Sequence, residues 1–78
     1  MITVRYFAGA RDAAGTETET VDTGTLGTLT EQIVAAHPTL ADVLPRCSVL
    51  ADGIRVHDPA TPLSPGSTVD VLPPFAGG

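Results

Sequence analysis

The final residues of the chain carry its clearest chemistry. Pro73, Pro74, Phe75 and Ala76 lead into Gly77 and Gly78, so the sequence closes on an α-carboxylate at the tip of a segment free of side chains. Such a carboxylate has an unperturbed pKa of about 3.3–3.7 and is an anion at neutral pH. Glycine has no Cβ, so it enters narrow channels and takes backbone angles that other residues avoid. Pro73 and Pro74 fix φ and keep the segment extended as it leaves the strand before it. That preordering lowers the entropy lost on entry into a partner, and Gly77 and Gly78 add about 7 Å of reach without bulk. Free carboxylate, slim approach and stiff base point to a chain end that another protein handles chemically. Read from the Gly-Gly pair alone, a loose terminus of small residues is the plain alternative.

Nothing else in the sequence is built to activate that carboxylate. There is no phosphate-cradling glycine loop followed by lysine, and no lysine at all. His37 and His57 lack metal-ligand spacing to each other or to Cys47. His37 reads as a helix C-terminal residue favoured by the dipole, His57 as a turn residue, and Cys47 as a buried structural thiol opening an apolar run. Catalytic groups are therefore expected on partners, with this chain as a protein-bound substrate and carrier.

The 78 residues suit one small domain, and the 42% apolar content suffices for one core. A net charge of −5 repels phosphate backbones, which excludes nucleic acid as a partner and favours a basic protein surface. The opening Met1–Phe7 stretch is too short and too interrupted for a signal peptide. No apolar run approaches the ~20 residues that span a bilayer. A cytoplasmic protein with no membrane association is expected.

The elements that must hold the tail follow from periodicity. Ile2, Val4 and Tyr6 alternate with Thr3, Arg5 and Phe7 as a half-buried strand. The alanines of 8–14 suit a short helix ended by Gly15. Thr16 to Val21 alternates threonine with glutamate as an exposed edge strand. Thr28 and Glu31 form a capping box for a main helix with an apolar stripe of Leu29, Ile33, Ala36 and His37. Pro38 stops that helix, and Leu40, Val43 and Leu44 make a second short cluster. Asp52-Gly53 between Cys47–Ala51 and Ile54–Val56 signals a hairpin. Residues 57–65 read as an irregular connection, Ser64–Ser67 as a turn with proline second, and Thr68–Leu72 as the last strand. Strand, strand, helix and two or three further strands predict an α+β fold of the β-grasp type. It has a mixed four- to five-stranded sheet, one main helix on one face, and the first and last strands as central neighbours. The expected division is a domain over 1–74 and a flexible tail over 75–78.

Strand alternation also predicts a docking surface. With Ile2, Val4, Tyr6, Val69 and Val71 turned toward the helix, Phe7 and Leu72 fall on the opposite, mostly polar face near the tail's root. With Phe75 they form a candidate apolar patch for a partner.

Three stretches resemble a known family: Val4–Gly15, Leu63–Val71 and the diproline–diglycine end Leu72–Gly78. The whole chain is similar to the small sulfur-carrier subunit of molybdopterin synthase, of the ubiquitin-like β-grasp superfamily. The resemblance implies that an E1-like adenylating enzyme activates the Gly78 carboxylate with ATP. Sulfur then replaces the nucleotide to leave a thiocarboxylate, and that sulfur passes to a pterin precursor inside the large catalytic subunit. It implies no stably bound cofactor and no metal, Gly77, Pro73 and Pro74 as the threading segment, and Arg11 as a partner for an acidic group on the large subunit. The chain would then be a non-catalytic subunit of a sulfurtransferase. Sister carriers for thiamin, cysteine or natural-product biosynthesis, and ubiquitin-like modifiers, share the tail chemistry. The opening stretch favours the molybdenum cofactor pathway.

Overall fold

The computed structural model describes residues 1–74. Gly77, Gly78 and Phe75 lie outside the described residues. Five strands and three helices succeed one another as β1 (Ile2–Tyr6), α1 (Ala8–Ala14), β2 (Thr18–Val21), α2 (Leu26–Ala36), α3 (Leu40–Val43), β3 (Ser48–Ala51), β4 (Ile54–Val56) and β5 (Thr68–Leu72). A single 3₁₀ turn, Leu44–Arg46, links α3 to β3. The sheet order is β2-β1-β5-β3-β4. β1 and β5 pair in parallel at its centre, with Val4 beside Val69 and Tyr6 beside Val71. Every other pairing is antiparallel. This is the β-grasp arrangement expected from the sequence, with the first and last strands central.

Burial follows the period-2 pattern. Ile2, Val4, Val69 and Val71 are wholly buried and Tyr6 nearly so, against Leu29 and Ile33 of α2 and Leu40 of α3. The turns obey their residues. Asp52 and Gly53 both take positive φ, 49° and 82°, as a two-residue type I′ hairpin requires. Ser67 N–H donates to the Ser64 carbonyl at 3.0 Å, while Gly66 takes φ 86°, which makes Ser64–Ser67 a type II turn.

Four expectations need correction. α2 begins one turn earlier than the capping box suggested: Thr25 is its N-cap, with its hydroxyl accepting from Thr28 N–H. Leu26 is thereby a core residue, and Glu31 points to solvent on the helix surface. Ala36 is exposed, because the buried stripe runs through Leu26, Leu29 and Ile33. β1 ends at Tyr6, and Phe7 instead caps α1 with its carbonyl accepting from Ala10 N–H. Cys47 lies just before β3 and is only partly buried; its thiol donates to the Val43 carbonyl, and burial pushes its pKa up. None of the helices is long and apolar enough to cross a membrane among the described residues.

Candidate functional site

The site is built where β5 ends. Leu72 closes the strand half-buried, Pro73 follows half-buried, and Pro74 is exposed. Because β5 is held on both sides, by β1 and by β3, the two prolines leave from the firmest strand of the sheet. Leu72 lies opposite Ser48 of β3. Phe7 N–H donates to the Val71 carbonyl at 3.2 Å, which fixes Phe7 next to Leu72. Both face away from α2, as predicted, and Phe7 is 36% exposed.

Around this apolar pair lies a row of charge that sequence reading did not single out. Arg5, Asp70, Leu50 and Arg55 stand opposite one another across β1, β5, β3 and β4. Arg5 Nε and Nη2 donate to the two Asp70 carboxylate oxygens at 2.6 and 2.8 Å, a bidentate fork that fits guanidinium to carboxylate. That hydrogen bonding, and then the Asp70 charge, hold the Arg5 pKa above its ordinary value. The same guanidinium sits 5.7 Å from the Phe7 ring centroid, so Asp70 orients Arg5 and Arg5 backs Phe7. The signal was present in the alternation: residues 5 and 70 are register neighbours once β1 and β5 are central.

Arg11 lines a small cleft with Arg5, Phe7, Ala8 and Glu17. It reaches Glu17 at 3.4 Å, both side chains being at least half exposed. A pair so open to water exchanges readily for another carboxylate. Ala8, the first residue of α1, takes φ 48°, a left-handed conformation that costs a non-glycine residue about 1–2 kcal/mol. That strain lies beside the patch.

On the other face, His37 does not serve α2 alone. Its Nε2 contacts Glu19 Oε2 at 2.6 Å, and the same oxygen accepts from the Tyr6 hydroxyl at 2.6 Å. Burial, then the hydrogen bond to Glu19 and its charge, push the Tyr6 pKa well above its ordinary value. Glu19, taken from sequence as part of a solvated edge, instead joins β1, β2 and the end of α2. Among the described residues no group of three His, Cys, Asp or Glu side chains is arranged to hold a metal ion. His57 is exposed just past β4.

The ThiS family profile matches residues 4–78. The chain belongs to the ThiS family. A curated molybdopterin synthase sulfur carrier subunit from Chlamydomonas reinhardtii is 37% identical over 83 residues, covering 99% of this chain and 98% of that protein. The solved SAMP1 of Haloferax volcanii superposes with a TM-score of 0.85 at 26% identity, covering 99% of this chain and 98% of its own. A chain from the complex of subunits 1 and 2 of the Helicobacter pylori molybdopterin-converting factor gives 0.75 at 25% identity, with 99% and 97% covered. The ThiS-family match extends over the three stretches that carried the resemblance and over Gly77 and Gly78.

Proposed function

We propose that this ThiS-family chain is the sulfur carrier of a molybdopterin synthase, with the Gly78 carboxylate as its working group. Carboxylate oxygen attacks the α-phosphorus of ATP in the active site of an E1-like partner. Pyrophosphate leaves, and the Gly78 acyl group is held as the adenylate. A sulfur nucleophile from a donor then displaces AMP, and the carboxylate has exchanged one oxygen for sulfur. In the large catalytic subunit the thiocarboxylate gives that sulfur to a pterin precursor, and the Gly78 carboxylate returns for another cycle. Activation is needed because an anionic carboxylate repels nucleophiles and oxide is a poor leaving group. Reliance on ATP and on two protein partners suits the cytoplasm.

The observation that carries the reading is a family match reaching Gly78 itself, joined to 37% identity with a named carrier across both whole chains. The geometry supports the partner half. Phe7 and Leu72 offer an apolar contact at the foot of the tail, Arg11 a loosely paired cation beside it, and Pro73 and Pro74 a stiff lead into the partner's channel. The Helicobacter pylori complex shows that a relative of this fold assembles with a second subunit, which supports the same expectation here.

Intact mass spectrometry tests it. The purified chain is incubated with its activating enzyme, ATP and a sulfur source. One oxygen should be replaced by sulfur at Gly78, and adding the large subunit with precursor should restore the original mass. A permanent mass increase on other proteins would identify a modifier, and an unchanged mass would reject activation. A variant with residues appended after Gly78 should remain unmodified; sulfur delivery by that variant would overturn the reading.

A further inference from the structure

A second surface lies on the opposite side of the sheet from Phe7 and Leu72. α2 turns Leu26, Leu29 and Ile33 into the core and leaves Thr30, Glu31, Val34 and Ala35 on its flank. Ala41 of α3 and Leu44 and Pro45 of the 3₁₀ turn face that flank across a groove of about 640 Å³. Val34 and Leu44 are only partly covered by the core, and Ala35, Ala41 and Pro45 are exposed. Helix rows four residues apart, such as 30/34 and 31/35, leave the grooves into which the ridges of another helix fit.

The charge around the groove selects its occupant. Glu31 is the one charged residue in its lining, and Asp42 adjoins Ala41. Neither carboxylate makes an ion pair among the described residues. No arginine lines it: Arg5 and Arg11 are engaged with Asp70 and Glu17, Arg55 is across the sheet, in the Arg5–Asp70 row, and Arg46, exposed directly after Pro45, is the cation that stands at the groove's end. A second copy of this chain would bring −5 against −5 and is repelled at long range. An apolar floor whose only charged lining residue is Glu31, with two carboxylates to one cation around it, suits a helix with apolar residues one turn apart and cations placed toward Glu31 and Asp42, away from Arg46.

We propose that the α2–α3 groove docks a basic amphipathic helix of a partner protein. Two of its apolar side chains rest on Val34, Ala35 and Leu44, with lysine or arginine over Glu31 and Asp42. Because the sheet separates this groove from the tail-root patch, the partner stays bound while Gly78 is processed. The chain is thereby delivered between enzymes without release.

The test is amide NMR of the full chain titrated with a capped synthetic helix carrying leucines one turn apart and lysines elsewhere. A twin peptide has glutamates for the lysines. Shifts should concentrate at 30–35 and 41–46, and the glutamate twin should leave them unmoved. Ala35→Glu should weaken the lysine peptide about tenfold or more, the loss expected of an unpaired charge set in an apolar contact. Glu31→Lys should weaken it about three- to tenfold, and less so in high salt. Both positions are exposed, so the variants should melt like the parent, and Ala35→Glu should still accept sulfur at Gly78. Binding elsewhere, equal binding of the twin, no binding, or an unchanged Ala35→Glu affinity would overturn the proposal. So would groove shifts that depend on protein concentration without peptide, since a second copy would then be the occupant.

Discussion

Tyr6→Phe is the substitution whose consequence can be followed furthest, because this chain leaves the alkaline range nearly empty of competing titrations. It has no lysine, one tyrosine and one cysteine. The Tyr6 side chain is almost wholly buried, and its hydroxyl donates to Glu19 at 2.6 Å. At neutral pH, removing a hydrogen bond to a charged acceptor costs about 1.5–3 kcal/mol. The lower end applies here because His37 still serves the same carboxylate oxygen. The pH dependence is the sharper signature. The folded Tyr6 pKa is raised, so its stabilisation is complete below the unfolded pKa of about 10 and is lost as pH climbs toward the folded value. Above pH 10 the unfolded chain releases the tyrosine proton and the folded one keeps it, so unfolding is favoured by up to about 1.4 kcal/mol per pH unit. Glu19 and His37 lie at a partly wet rim, and solvent screening trims that slope. The raised thiol pKa of Cys47 acts in the same direction from a lower pH, in parent and variant alike. Urea unfolding at pH 7, 9, 10 and 11 should therefore show a parent–variant gap that is constant to about pH 9 and has shrunk by about 1 kcal/mol at pH 11. Parallel curves through pH 11 would refute the reasoning, since they would mean that the Tyr6 hydroxyl ionises as freely in the fold as out of it.

Three further outcomes are expected. Leu72→Asp should weaken binding to the large subunit at least about tenfold by calorimetry while the thermal midpoint barely moves, because Leu72 faces away from the core; a large fall in midpoint would place Leu72 in the core instead. Ala8→Gly should raise stability by about 0.5–1 kcal/mol, the left-handed strain it relieves exceeding the backbone entropy it adds, as read from urea midpoints. Gly27→Val should destabilise by about 1–3 kcal/mol, since even a Cβ there would meet the Pro59 carbonyl oxygen at 3.1 Å and break the close seat of the 57–65 connection on α2, whose Gly27 N–H donates to that same oxygen.

What the sequence made legible, and what it did not, divides along the range of the interactions. Strand faces, the Asp52-Gly53 hairpin and the Ser64–Ser67 turn depend on neighbours within a few residues, and each was readable. So was the placing of Phe7 beside Leu72, because alternation and the guess that β1 and β5 are central suffice for it. The start of α2 was misread because two threonines three residues apart both offer a capping hydroxyl. Only the packing of Leu26 into the core shows that Thr25 takes the role. Glu19 looked solvated because threonine and glutamate alternate through β2. Its partners Tyr6 and His37 are 13 and 18 residues away, and only the assembled sheet reveals that its face is the inner one. The short helix between the first two strands was readable from its alanines and from Gly15 at its end, whereas the left-handed turn at Ala8 that starts it has no sequence marker of its own.

The parallel β1–β5 pair sets the proposed docking patch beside the prolines that lead into the tail. Phe7 directly follows the last residue of β1, Leu72 ends β5, and the Phe7 N–H to Val71 carbonyl bond ties the two. Arg5 and Asp70 repeat the tie one row back, with side chains in place of backbone. The prolines then carry the chain outward from a strand whose inward residues, Val69 and Val71, are fully buried. A partner that gripped Phe7 and Leu72 would therefore hold the point from which Pro73 and Pro74 leave the sheet. Binding free energy gained at such a patch would then be spent on positioning the acyl group. By the same logic, loosening the pair, as Asp70→Asn would by breaking the fork to Arg5, should slow sulfur loading more than it weakens the fold.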